Sequence, residues 1–98
     1  MSKSHELRVK IEQIGQTQEI GNNGFKKREV VGIVEGEYPE HYKFEFIKDK
    51  TSLPDDLLEN TYATIHFNIK GRKVDAKKKG DEPMYFTSLQ AWKVDVGE

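Results

Sequence analysis

Cysteine is absent from this 98-residue chain, and that single gap removes disulfides, thiolate metal sites and a cysteine nucleophile together. Tryptophan occurs once, as Trp92, and proline only three times. No apolar stretch is long enough to span a bilayer, and the opening Met-Ser-Lys-Ser-His-Glu lacks a secretory-type apolar run. A soluble cytoplasmic protein with no membrane partner is expected. Catalytic groupings are missing as well. His5, His41 and His66 stand far apart, without metal-ligand spacing. Thr87 and Ser88 have no histidine close in sequence, and Asp55-Asp56 reads as helix-end chemistry. The expectation is a non-enzyme with no catalytic residue, no metal and no cofactor.

Charge of one sign is not in excess either: sixteen basic and seventeen acidic residues leave a net charge of −1. Their distribution is uneven. Nine of the sixteen cations fall in two windows, residues 26–28 and 70–79, while acids gather around 35–40 and 55–59. A near-neutral chain can therefore still present a basic patch to a polyanion. Hydrophobic residues make up 35% and charged ones 34%, which is polar for a folded domain, so periodicity has to decide between order and disorder.

Periodicity is clear. Leu7, Val9 and Ile11 alternate with charged residues as a first strand, and Ile14 falls out of phase, which places a bulge or the strand end near residues 12–15. Asn23-Gly24 marks a hairpin turn with basic shoulders; without a Gly-Lys-Ser/Thr ending it is not a phosphate loop. Residues 29–34 form a second strand, with Gly32 at a bend, and Tyr42, Phe44 and Phe46 alternate in a third. Ser52 is expected to cap a helix of about two turns, with Pro54 in its first turn and Asp55 and Asp56 at its positive end. Ala63, Ile65, Phe67 and Ile69 alternate in a fourth strand. In the fifth, Leu89 and Ala91 share one parity while Trp92 and Val94 take the other, so a bulge is expected between them.

This order predicts an all-β fold: a five-stranded OB-fold, a Greek-key barrel, with one short helix between strands 3 and 4. A single domain over residues 1–98 is expected, with its core at about 6–96, a flexible stretch at 1–5 and a mobile basic loop at 73–83. Phe44, Phe46 and Phe67 belong to the core by parity. In an OB-fold the loops after strands 1 and 4 flank the oligonucleotide- and oligosaccharide-binding face, and the two basic windows fall at those loops. Lys26, Lys27, Arg28, Lys70, Arg72 and Lys73 are the candidate phosphate contacts, with Lys77, Lys78 and Lys79 as an arm. Phe25, Tyr62, Tyr85 and Trp92 are the candidate stacking surfaces. Three of these four have a structural alternative: Phe25 as the cover of a barrel end, Tyr62 as strand-end packing, Trp92 as a packed core ring.

A resemblance points the same way. Asn23-Gly24-Phe25-Lys26-Lys27-Arg28-Glu29, Glu37-Tyr38-Pro39, Phe44-Glu45, Phe67-Asn68-Ile69-Lys70-Gly71-Arg72 and the run from Phe86 to Lys93 recur in that order in a small bacterial family. The family is one of unknown function and is similar to the single-stranded DNA-binding (SSB) proteins; the likeness covers about residues 7–96. It implies an OB-fold with SSB-like strand order and single-stranded DNA as partner, with RNA as the related alternative and a homodimer or higher homo-oligomer as the working form. The lysine-rich insert at 74–83 is longer than in many members. Two other readings stand beside it: a protein–protein interaction or oligomerisation adaptor built on the same barrel, and a binder of acidic sugars.

Overall fold

A computed structural model describes residues 4–21 and 23–97. The elements in chain order are β1 (Ser4–Ile14), β2 (Gln18–Ile20), β3 (Phe25–Val34), β4 (Glu40–Ile47), a 3-10 helix (Lys48–Asp56), β5 (Tyr62–Val74) and β6 (Met84–Val96). Hydrogen bonding orders the strands β1-β5-β6-β4-β3-β2, and β1 also pairs with β3. That extra pairing closes five strands into a barrel and leaves β2 as a short ribbon on the tip of β3. Every pairing is antiparallel except β4 with β6, where Phe44 meets Leu89 and Glu45 meets Gln90. This is the expected OB-fold, with one short helix between the strands that the sequence reading numbered third and fourth.

Alternation accounts for the core. Val9, Ile11, Val30, Phe44, Phe46, Ala63 and Ile65 are at most 1% exposed, and Phe67 and Ala91 join them. Phe44 and Phe67 meet with ring centroids 5.3 Å apart. Burying such rings stabilises the barrel by roughly 1.5–3 kcal/mol each. The barrel closes at Gly32, which pairs with Ile11 on one side and Tyr42 on the other. A Cβ there would lie 2.6 Å from Val9 Cγ2, so only glycine lets β3 approach β1 this closely. A bulge exists at both places where the sequence breaks phase. The β1–β3 register slips at Glu12, and Trp92 is the extra residue where β5–β6 slips between His66 and Phe67.

Four expectations need correction. The stretch 1–5 is strand where it is described: Ser4 pairs with Asn68 and His5 with Phe67, and residues 1–3 lie outside the described residues. β2 was not foreseen, because Gln18, Glu19 and Ile20 show no alternation; their pairing to Lys27, Lys26 and Phe25 creates the strand. The helix begins earlier and is of the 3-10 type. Ser52 lies inside it, Ile47 precedes it without a side-chain cap, and Asp55 and Asp56 sit at its C-terminal end. Thr51 Oγ1 and Ser52 Oγ donate to the carbonyls of Lys48 and Asp49, three residues back, and Lys48 adopts φ 55° at its start. Finally, Lys73 and Val74 belong to β5, paired with Tyr85 and Met84, so the connecting loop is only 75–83. Lys78 O accepts from Asp81 N there at 3.1 Å, with Gly80 at φ 95° supplying the turn.

The Cα radius of gyration is 15.3 Å. A compact 98-residue domain would give roughly 13 Å. The difference reflects the β2–β3 and β5–β6 hairpins, which extend beyond the barrel.

Candidate nucleic-acid interface

The two hairpins and β4 between them enclose a groove of about 960 Å³ on the outer face of the barrel. Strand parity builds it. Because Phe44 and Phe46 point inward, His41, Lys43 and Glu45 of β4 point outward; Lys27 does so on β3. On the other side Lys70 and Arg72 of β5 lie opposite Ser88 and Phe86 of β6 and share their face. Phe25 and Ile20, paired across the β2–β3 hairpin, border the open end.

The groove therefore collects Phe25, Lys27, Lys70 and Arg72 from the candidate residues. It adds residues that sequence reasoning missed: Phe86, Lys43, Tyr42 and Gln90. Phe86 is 43% exposed and carries the Arg72 guanidinium 5.5 Å from its ring centroid. Its pairing with Arg72 was hidden because residues 73–74 read as loop. Tyr42 donates its hydroxyl to Glu40 Oε1 at 2.7 Å, and that bond, with some burial, holds its phenol proton above the ordinary range.

Other candidates lie elsewhere. Arg28 faces inward: Nε donates to Gly15 O at 2.8 Å, and Nη1 donates to Thr51 O at 3.1 Å and to Asp55 Oδ1 at 2.6 Å. It ties the β1–β2 connection to the 3-10 helix. Lys26 pairs with Glu19 and points away from Lys27's face. Tyr62 is ten residues from Arg72 along β5, roughly 33 Å at strand rise, with Arg8 stacked over its ring and Glu35 accepting from its hydroxyl. Tyr85, 71% exposed, follows Lys73 onto the face of the β5–β6 hairpin opposite Phe86. Lys77, Lys78 and Lys79 lie exposed in the connecting loop.

Trp92 sits past the end of the groove on β6. Its Nε1 donates to Ser4 Oγ at 3.0 Å and its ring lies 5.4 Å from that of His66. His66 in turn bridges two strands, with Nδ1 3.3 Å from Glu6 and Nε2 2.8 Å from Asp95. The hydrogen bond from His66 keeps the Asp95 carboxyl below the usual carboxylate range.

The closed five-stranded barrel, with a cation- and aromatic-bearing groove on its outer face, defines an OB-fold domain. The chain belongs to the family Domain of unknown function (DUF3127), which it matches over residues 6–95. No curated protein sequence matches it. Among solved structures it is similar to the mitochondrial single-stranded DNA-binding protein Rim1 of S. cerevisiae, with TM-score 0.71, 5% identity, and 98% and 95% of the two chains covered. It is also similar to the SSB domain of a Synechococcus sp. protein, at TM-score 0.69 and 17% identity over 97% and 94% of the chains. The Plasmodium falciparum SSB, whose structure is a complex with ssDNA, gives TM-score 0.66 and 9% identity over 100% and 96%. At these identities the likeness is one of fold.

Proposed function

We propose that this protein binds single-stranded nucleic acid, DNA in the first instance, along the outer groove and without catalysis. The observation that carries the reading is the convergence of Lys70 and Arg72 with Phe25 and Phe86 around one open groove. Cations along one wall neutralise successive phosphates and release counterions, a sequence-independent contribution. Phe25 and Phe86 supply faces on which any base can stack. The shared fold with SSB proteins, one of them in complex with ssDNA, supports this use of the barrel.

The test is a titration of labelled single-stranded oligo-dT with wild-type protein and the Phe25→Ala/Phe86→Ala variant, with duplex of the same length as competitor. Each lost stacking contact is expected to cost about 1–3 kcal/mol, roughly 5- to 150-fold in Kd. Equal affinity of variant and wild type would remove the groove from the account.

One observation favours the adaptor reading at the opposite end of the barrel. A cavity of about 460 Å³ is lined there by Leu58, Tyr62 and Val96, with Leu58 68% and Val96 57% exposed. In that reading a second copy of the chain docks on this end, and sedimentation velocity of the wild type against Leu58→Glu reports it.

A further inference from the structure

The cations of the groove are not equivalent. On the β3–β4 wall, Lys27 Nζ lies 3.5 Å from Glu29 and 3.3 Å from Glu45, and Lys43 Nζ lies 3.4 Å from Glu29. Two lysines and two carboxylates give that wall no net charge. On the β5–β6 wall, Lys70 and Arg72 have no carboxylate within 4.0 Å among the described residues. The Arg72 guanidinium rests over Phe86.

We propose that a bound strand runs its phosphates along the β5–β6 wall alone, and that Glu29 and Glu45 keep the β3–β4 wall for the bases. The inference rests on the nucleic-acid reading of the groove. It is the sum of charge that decides, since exposed ion pairs of this kind are individually weak, about 0–1 kcal/mol. A phosphate approaching Lys27 meets the Glu45 carboxylate at nearly the same distance, so attraction and repulsion offset each other. At Lys70 and Arg72 the attraction is unopposed, and a guanidinium fork suits a phosphate. With its backbone on that side, the strand directs its bases past Phe86 and across the groove, where Phe25 stands at the rim and Glu45 and Gln90, partners in register, line the floor. Glu29 and Glu45 thus act as positioning residues that orient the strand and hold the affinity down.

The experiment reads the salt dependence of binding to labelled oligo-dT for three proteins: wild type, Glu29→Gln/Glu45→Gln, and Lys70→Ala/Arg72→Ala. Removing the two carboxylates frees Lys27 and Lys43 for phosphate, so the log–log slope should steepen by up to about 1.4, at roughly 0.7 per added contact on a single strand. The Lys70/Arg72 variant should be shallower by a similar amount. If the carboxylate variant binds with the wild-type slope, tighter or not, both lysines already contact phosphate and the proposal fails. If the Lys70/Arg72 variant keeps the wild-type slope, it fails equally. Absence of wild-type binding at low salt would instead overturn the nucleic-acid reading, and this inference with it. Thermal melts of all three without DNA confirm that each is folded.

Discussion

Truncating Arg28 to alanine should unfold this protein more readily and leave its groove intact. The side chain is 15% exposed and donates to two backbone carbonyls, those of Gly15 and Thr51, as well as to Asp55. The Asp55 partner is 65% exposed, so that pair is screened and contributes about 0–1 kcal/mol. The carbonyls matter more. Thr51 is 8% exposed, and a buried acceptor left unpaired costs about 1–3 kcal/mol. Gly15 is only half-buried and water reaches it more easily. Together the loss should be roughly 2–4 kcal/mol, which for a domain of this size lowers Tm by roughly 8–30 °C. Lysine at this position should recover little, because a single ammonium cannot span the forked contacts. Melts followed by far-UV circular dichroism measure the shift, and oligo-dT affinity is read well below both transitions. A variant that melts within about 2 °C of wild type yet loses affinity would show that Arg28 serves the ligand and would refute this reasoning.

Three further expectations follow from other parts of the molecule. Gly32→Ala should cost about 1–3 kcal/mol by pressing on Val9, and Val9→Ala in the same chain should recover part of it; additive losses in urea unfolding would mean that the close approach does not limit the barrel. Asp95 has a depressed folded pKa, so its stabilisation is complete above the unfolded value, about 3.9, and is lost as pH falls through the folded one; Asp95→Asn should flatten the acid limb of the urea midpoint between pH 6 and 2.5, and identical limbs would contradict the His66 hydrogen bond. Trp92 rests on Ser4 and His66, beyond the groove, so Trp92→Phe should bind oligo-dT as wild type does and ssDNA should leave tryptophan emission nearly unchanged; strong quenching on binding would bring Trp92 into the site.

The barrel was legible because its strands alternate. Val9, Ile11, Phe44, Phe46, Ile65 and Phe67 announce their faces, and the phase breaks at Glu12 and Trp92 mark real bulges. Less visible was everything that pairing alone decides. Gln18, Glu19 and Ile20 become a strand only because β3 extends past the barrel to meet them. The lysine-rich segment hid the continuation of β5 to Val74, and with it the partnership of Arg72 and Phe86. Of the basic window 26–28, side-chain direction sends Lys27 to the groove and Arg28 into the barrel. The carboxylates that neutralise Lys27 come from positions 29 and 45, and no local pattern joins those two. Charge clusters in the sequence therefore mark Lys27, Lys70 and Arg72, which the fold brings to one groove, but cannot tell a free cation from a paired one.

The most direct test of the account is the salt dependence of wild-type binding to a labelled thirty-mer of oligo-dT, followed by fluorescence anisotropy. With Lys70 and Arg72 as the phosphate contacts of the groove, log Kobs should fall against log salt with a slope of about −1.4, at roughly 0.7 per contact on a single strand. Binding that holds across the salt range, or no binding at low salt, would contradict a single-strand interface on this groove and leave the apolar end of the barrel as the working surface.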